Sequence, residues 1–488
     1  MLERIKTEAI LTYLIRLIPP LSIAVVVLGL VSLSILLKRP DYLLRGQYLA
    51  FPIIVASLIM IYCKPKNLEN KEKIIMHLRI SRLNYNLIYL FLYLAIIYLL
   101  IAYQTRPIAY FILIGLMAVV ILAEILTNDY ANKPASILFK IILLAANIIF
   151  GQTLKLPFYF GGTDILPHLH WIETLLANQH VTPELGSYQY FPLYHIFNAI
   201  GQLLTNLDLQ TAYFAIIGLS FLSSIFFVYL ITYKVTNCPV KSLVTALVYS
   251  LSSEALFAGM SMVTRVMSYV IFLVMFYLLI SKKQDNLRKN ILALSLIIPL
   301  VFMHQITLVQ EVIILGVFFL MELLIYHRNK LFGIVFPIIF TVSFIAYWIY
   351  VAGPFFDGVL NTIISTTEAA VIPETLPDSP IYKTFTGNLE ATIFAFFAII
   401  GVVLLLVKGQ GQKEKGQLGV LFALFSFLAM PLFFPGPAGF FNHILLSSRI
   451  PLMILPFIIV TIVEGIFYFL NALKSKPRKT TRLSFVFL

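Results

Sequence analysis

Charge is what this sequence lacks most. Of its 488 residues, 12% are Asp, Glu, Lys or Arg, where an ordinary soluble domain has about 25%. Acids are the scarcer sign, with 22 against 35 basic residues. Cysteine is nearly absent. Cys63 and Cys238 fit no metal or redox spacing, which excludes a disulfide-stapled secreted module. The opening MLERIKTEAILTYLIRLIPP has no small-residue cleavage site, so its apolar run is expected to stay as a helix. What fills the chain instead is apolar: 60% of it is hydrophobic. A soluble fold of this length cannot enclose that much apolar surface, because surface falls too slowly with size. A soluble enzyme and a disordered chain are both excluded.

Apolar runs of 17 or more residues recur, each long enough to cross a bilayer as a helix. The expected fold is an all-α, polytopic membrane protein with about 14 transmembrane helices. They lie at roughly 17–37, 47–63, 84–103, 108–126, 136–153, 209–232, 242–258, 266–281, 290–303, 306–326, 331–352, 389–407, 417–434 and 449–473. The stretch 290–326 is too long for one crossing and is split at His304-Gln305, its first half being a short or broken helix.

Lys and Arg set the expected orientation. The loops 64–82 and 282–289 and the tail 474–482 carry six, four and five of them. Fourteen spans place all three on one face with both termini, and that face is read as cytoplasmic. It takes 27 of the 35 basic residues. The net charge of +13 is therefore an orientation signal in a cell-membrane protein, and nucleic acid is not an expected partner. Two long segments, 154–208 and 353–388, fall outside, where long loops tend to carry function.

The first of these gathers polar groups: Asp164, His168, His170, Glu173, His180, Glu184 and His195. Six of the eight histidines fall on the outer face. From Pro167 to about Asn178 the spacing of Leu169, Ile172, Leu175 and Leu176 predicts an interfacial helix with one apolar side. Asp164 stands at its mouth, where the helix dipole favours a carboxylate, either as a simple cap or as a reactive group. Gly161 and Gly162 precede it and allow a sharp turn. Asp164 and His168 are also candidate ligands for a divalent cation, Mg or Mn, shared with a phosphate substrate. The spacing of Asp164, His168 and His170 does not put all three on one helical face. YQYFPLYH (188–195), which includes Tyr194 and His195, puts aromatics around Pro192 that suit either a sugar face or the bilayer interface.

Other polar residues lie at outer span ends: Arg265 in MVTRVMSY, His304 in MHQITL, Arg449 in LLSSRIPL, and Lys383 in the second long loop. Cations near hydrocarbon are costly unless paired, so they are candidates for binding a lipid phosphate; snorkelling to headgroups is the plainer alternative. Glu311 follows His304 at i+7. Lys140 and Glu124 sit near inner helix ends, where snorkelling or mutual pairing accounts for them. Glu464 lies deeper, with an unidentified partner.

This arrangement resembles the GT-C glycosyltransferases over roughly 134–390. GGTDILPHLHW looks like the family's acidic first-loop motif, FPLYH like its Pro-Pro-Leu-Tyr run with Phe191 in place of the first Pro, and MHQITL like a His-x-x-Thr turn. The resemblance implies three regions: accessory helices at 1–133, a catalytic core at 134–352 including loop 154–208, and loop 353–388 plus the last helices at 353–488. It implies an outward-facing site and transfer of a sugar from a polyprenyl (dolichyl) phosphate donor to an acceptor hydroxyl, inverting the anomeric centre. Asp164 matches the catalytic or metal-binding carboxylate. His168, His170, Tyr194, His195, Arg265, His304, Lys383 and Arg449 would bind substrate. The acceptor would be a lipid-linked glycan, a lipid or a protein, among membrane lipids. The sequence departs from the family in its four preceding spans, in lacking a second acid as Asp-x-Asp, and in having no soluble domain after the last span. A transporter or flippase of lipid-linked saccharides, a polymerase, and a non-catalytic assembly subunit are the alternatives.

Overall fold

The computed structural model describes residues 2–36, 40–63, 81–127, 134–155, 164–281, 287–326, 333–368, 381–410, 414–433 and 450–474. Every regular element among them is helical. Nine of these helices are long and apolar enough to cross a membrane. Two bent pairs pass the same test as units, Pro239–Leu251 with Ser253–Ser261 at 58° and Val335–Tyr350 with Gly353–Asn361 at 92°, which raises the count to eleven. The protein is thus a multi-pass membrane protein.

Length and apolarity support nine to eleven spans among the described residues, below the expected fourteen. The difference has a geometric cause. Gln47–Tyr62 and Thr264–Ile280 have 16 and 17 residues. At 1.5 Å per residue, such helices are about 25 Å long and fall short of a hydrocarbon core of about 30 Å. The region expected at 290–303 is two short helices, Leu287–Ser295 and Ile297–Met303. The break expected after Met303 is present: His304 adopts an extended backbone (φ −156°, ψ 126°) and the next helix starts at Gln305. The first helix begins earlier than its hydropathy suggests, at Leu2, and runs through Pro19 and Pro20 to Leu36.

Ile450–Lys474 is the most enclosed helix and packs against Leu389–Gly409. Their backbones nearly touch. A Cβ on Gly401 would fall 1.7 Å from the Thr461 carbonyl oxygen, and one on Gly465 would fall 2.1 Å from that of Phe397. Small residues at facing positions are what permits such approach where lipid provides no hydrophobic drive between helices. Arg82–Ala102 and Ile108–Leu126 form a rim that turns Phe91, Leu94 and Phe111 outward.

Ion pairs tie the bundle at one end. The Lys140 ammonium donates to Glu124 Oε2 at 2.6 Å, so these two residues do pair. Glu464 has its partners in Lys241, 3.0 Å from both carboxylate oxygens, and Lys408, 2.7 Å from Oε2. At the other end, the Ser253 N–H donates to the Glu390 carboxylate. The Leu389–Gly409 helix therefore grips the bent pair 239–261 at both of its ends.

Candidate functional site

The segment 164–208 folds as two helices joined by a connection that contains the 3-10 segment Pro183–Gln189. In Ile165–Asn178 the buried residues Ile165, His168, Ile172 and Leu175 recur at helical spacing, while His170 and Glu173 face outward. His168 thus lies within the apolar stripe. Pro167 sits in the first turn, where a missing N–H costs nothing, so the helix starts at Ile165 rather than after the proline. Asp164 occupies the N-cap position, exposed, and its side chain makes no cap hydrogen bond. Gly186 (φ 58°, ψ −132°) then takes a backbone conformation open chiefly to glycine, within the turn Pro183–Gln189. The chain returns as Leu193–Thr205, burying Tyr194, His195, Asn198 and Ala199 on one face.

The two helices bring two histidines together. His168 Nδ1 lies 3.1 Å from His195 Nε2, and both rings are buried. Trp171, Tyr188 and Tyr194 surround them, with ring centroids 5.3, 5.3 and 5.4 Å from that of His168. Burial pushes His168 down to about 4, opposed by the negative charge of Asp164. Burial, and then the neighbouring His168, push His195 down to about 3. Both imidazoles are therefore neutral at pH 7. A neutral ring has one donor and one acceptor nitrogen, so the contact is an N–H···N hydrogen bond.

Beneath the pair, the Tyr194 and Tyr213 hydroxyls converge on the Met262 carbonyl oxygen, Tyr213 at 2.5 Å. Met262 is left-handed (φ 46°) and ends the helix Ser253–Ser261. Tyr194 is fully enclosed, and its hydroxyl holds this corner. Two residues on, the Thr264 hydroxyl meets that of Tyr188 at 3.5 Å. Arg265 is the next residue in the chain. Its guanidinium lies 5.7 Å above the Phe257 ring and interacts electrostatically with Glu254, which also senses Glu390.

His304 is buried and caps the next helix. Its Nδ1 accepts from the Thr307 N–H at 3.1 Å and lies 2.6 Å from the Thr307 hydroxyl. The helix Ile297–Met303 just before it packs against Leu193–Thr205. Glu311, further along, is fully buried; Ser268 donates to its Oε1 at 2.7 Å, while Oε2 has no hydrogen-bond partner. Phe191 packs against Trp348 and Ala352 at the corner of the 92° bend, and the Tyr347 hydroxyl donates to the Tyr190 carbonyl. A shallow apolar groove of about 380 Å³ opens beside this contact, lined by Ile298, Val301, Phe302, Ser343, Ala346 and Tyr347.

The structure thus brings His168, Tyr194 and His195 together with Asp164 one turn away, while Arg265 faces Glu254 and Phe257. His170 points away from them. Lys383 is exposed on Ile381–Gly387, which lies against Asp41–Arg45. Arg449, Gly161 and Gly162 lie outside the described residues. Among the described residues no group of three or more His, Cys, Asp or Glu side chains is placed to hold a metal ion. Trp171, Asn198 and the Met262 carbonyl are site components that sequence reasoning missed, whereas Tyr188 stands in the aromatic run it singled out. Trp171 was within reach of it, three residues from His168 on the same helix; a left-handed methionine carries no signal. Comparison with family models, curated proteins and solved structures found no match to this chain.

Proposed function

We propose that this protein is a membrane glycosyltransferase that moves a sugar from a polyprenyl phosphate to an acceptor hydroxyl. The observation that carries the reading is the setting of Asp164. It is an exposed carboxylate one helical turn from a buried, neutral imidazole pair, in a chain with few acids. Direct displacement by an acceptor oxygen needs a negative or basic group to draw off the hydroxyl proton. The departing lipid phosphate is already a competent anion and needs positive charge more than it needs a proton. Arg265, next in the chain to the Thr264 that meets Tyr188, is the cation assigned to that charge. The apolar groove beside Tyr347 suits an isoprenoid chain, and the bent segment 335–361 next to it suits a cover that excludes water. Direct displacement inverts the anomeric centre.

The same reading takes the chain as fourteen crossings, with both termini cytoplasmic and Asp164 outside. Contacts between distant segments support that count. Lys241, Lys408 and Glu464 meet, Ser253 meets Glu390, and the Thr7 hydroxyl donates to the Ile325 carbonyl at 3.2 Å. In a fourteen-crossing chain each of these sets falls on a single face.

A transport reading draws on one observation, the fully buried Glu311 with its unpartnered oxygen, since carboxyls inside the membrane often mark ion pathways. One experiment separates the two. Purified protein is given polyprenyl-phosphate sugars and candidate acceptors, with and without EDTA. Transfer or donor hydrolysis is expected. Loss in EDTA would assign a divalent cation; a protein that moves intact lipid-linked sugar and breaks no bond would overturn the enzyme reading.

A further inference from the structure

The helix Leu193–Thr205 has two unlike faces. One side buries Tyr194, His195, Asn198 and Ala199. The other leaves Phe197, Ile200, Leu203 and Leu204 exposed, Leu203 at 69% and Leu204 at 80%. These four recur at helical spacing and so form one apolar stripe. No Asp, Glu, Lys or Arg occurs from Leu185 to Leu207. An exposed apolar stripe without charge marks a surface that something apolar covers. The preceding helix differs: Ile165–Asn178 turns His170 and Glu173 outward.

The span that follows sets the depth of this helix. Asn206 is left-handed (φ 54°) and ends Leu193–Thr205, and the exposed Asp208 caps Leu209–Thr236. An exposed carboxylate belongs outside the hydrocarbon. The helix before it nevertheless lies lower. Gly201 sits against Ile216, and a Cβ there would fall 2.0 Å from Ile216 Cδ1. Ile216 is about 10 Å along the span from its start, whereas a headgroup layer is about 5–8 Å deep. A helix folding straight back along the span would carry Tyr194 deeper than Gly201. Instead the Tyr194 hydroxyl meets that of Tyr213, nearer the start of the span, so the helix lies across it. Below this crossing, Leu219, Phe226 and Tyr233 are exposed every seven residues and mark the lipid side of the span. Leu193–Thr205 also packs against Ile297–Met303, which exposes Ile298 and Phe302. Both neighbours of the apolar stripe thus face lipid themselves.

We propose that Leu193–Thr205 lies in the plane of the bilayer, with Phe197, Ile200, Leu203 and Leu204 among the lipid acyl chains of one leaflet, and that it forms the lipid-side wall of the His168–His195 pair. Its sequence fits an in-plane helix: a strong separation of faces, and a stripe of Phe, Ile and Leu that hydrocarbon solvates. Tyr194 and His195 stand on the back of the same helix. The two imidazoles are then about one helix diameter, 10 Å or so, from acyl chains, at a depth that suits a lipid-borne ligand. This seating follows from the fold alone and holds whatever chemistry the site performs.

Spin labels read this directly. The two native cysteines, Cys63 and Cys238, are replaced by serine in the full-length protein. Ile200→Cys, Leu204→Cys, Leu219→Cys and Glu173→Cys are then labelled one at a time and reconstituted into phosphatidylcholine vesicles. Collisions with oxygen, which concentrates in hydrocarbon, are compared with collisions with a nickel chelate, which stays in water. Leu219 is the lipid reference and Glu173 the water reference; the contrast between them verifies that the protein is folded and inserted. The oxygen-to-chelate ratio is expected to be high at Ile200 and Leu204, as at Leu219. A ratio there as low as at Glu173 puts the stripe in water and overturns the proposal. Protection of both positions from both reagents overturns it too, because the stripe is then covered by another protein or by a second copy of this chain.

Discussion

Glu464 holds Lys241 with both carboxylate oxygens at 3.0 Å. The two residues are 223 positions apart and both are almost fully buried. Lys408 joins them from a third helix. Such a group is weak evidence for stability as a whole but strong evidence for fragility when one member is lost, because the others stay buried and uncompensated. Glu464→Gln leaves two ammonium groups facing a neutral amide. It should cost about 3–5 kcal/mol, seen as a lower melting temperature in detergent. Replacing Lys241 and Glu464 together by Met should recover much of that loss. A Glu464→Gln protein as stable as the parent would show that the triad is not a tie between helices.

The close approach of Leu389–Gly409 and Ile450–Lys474 makes a second stability test. Alanine at Gly401 or Gly465 drives a methyl group into a backbone carbonyl, which no rotamer change relieves. Each substitution should cost at least about 1–3 kcal/mol through overpacking. Gly29→Ala is the control. A Cβ there meets nothing within 4 Å, and alanine should be neutral or gain about 0.5–1 kcal/mol inside a helix.

Much of the architecture was legible in the sequence because hydropathy reports burial in lipid directly. The break at His304 and the helix up to Asn178 follow from length and spacing alone. Other features were not legible, for physical reasons. The partner of Glu464 is set by which distant helices pack together, and local pattern says nothing about that. Asp164, His168 and His195 stood out because polar groups are rare in this chain. That His168 faces inward and His170 outward follows from the 100° turn per residue, but Pro167 obscured the register. Asn198 reads as an unremarkable helix residue in sequence. Only the fold shows it buried on the same helix face as His195.

The buried imidazoles make stability depend on pH with a definite sign. In the unfolded chain each titrates near 6.5; in the fold His168 is held at about 4 and His195 at about 3. Below pH 6.5 the unfolded state takes up protons that the folded state refuses. Stability contributed by these rings is therefore complete above pH 6.5 and is lost as pH falls toward 4. Each ring contributes a slope of about 1.4 kcal/mol per pH unit in that window. Melting temperature between pH 7 and 4.5 should fall more steeply for the parent than for His168→Gln/His195→Gln. Parallel slopes would mean that the pair is solvated in the native protein.

Two aspartates at helix starts separate catalysis from capping. Asp208 accepts a hydrogen bond from the Thr211 N–H at 2.9 Å and so caps its helix in the ordinary way. Asp164 occupies the same position on Ile165–Asn178 and makes no such bond. The two should therefore fail in opposite ways. Asp208→Ala should cost about 1 kcal/mol of stability and leave transfer at the parent rate. Asp164→Asn keeps shape and removes charge, so melting should be unchanged. Without the carboxylate, the acceptor hydroxyl loses the negative group that draws off its proton, and kcat should fall by about 100-fold or more. His170→Ala, on the outward face of the same helix, should change neither quantity. An Asp164→Asn protein that melts early and transfers normally would return Asp164 to a purely structural role.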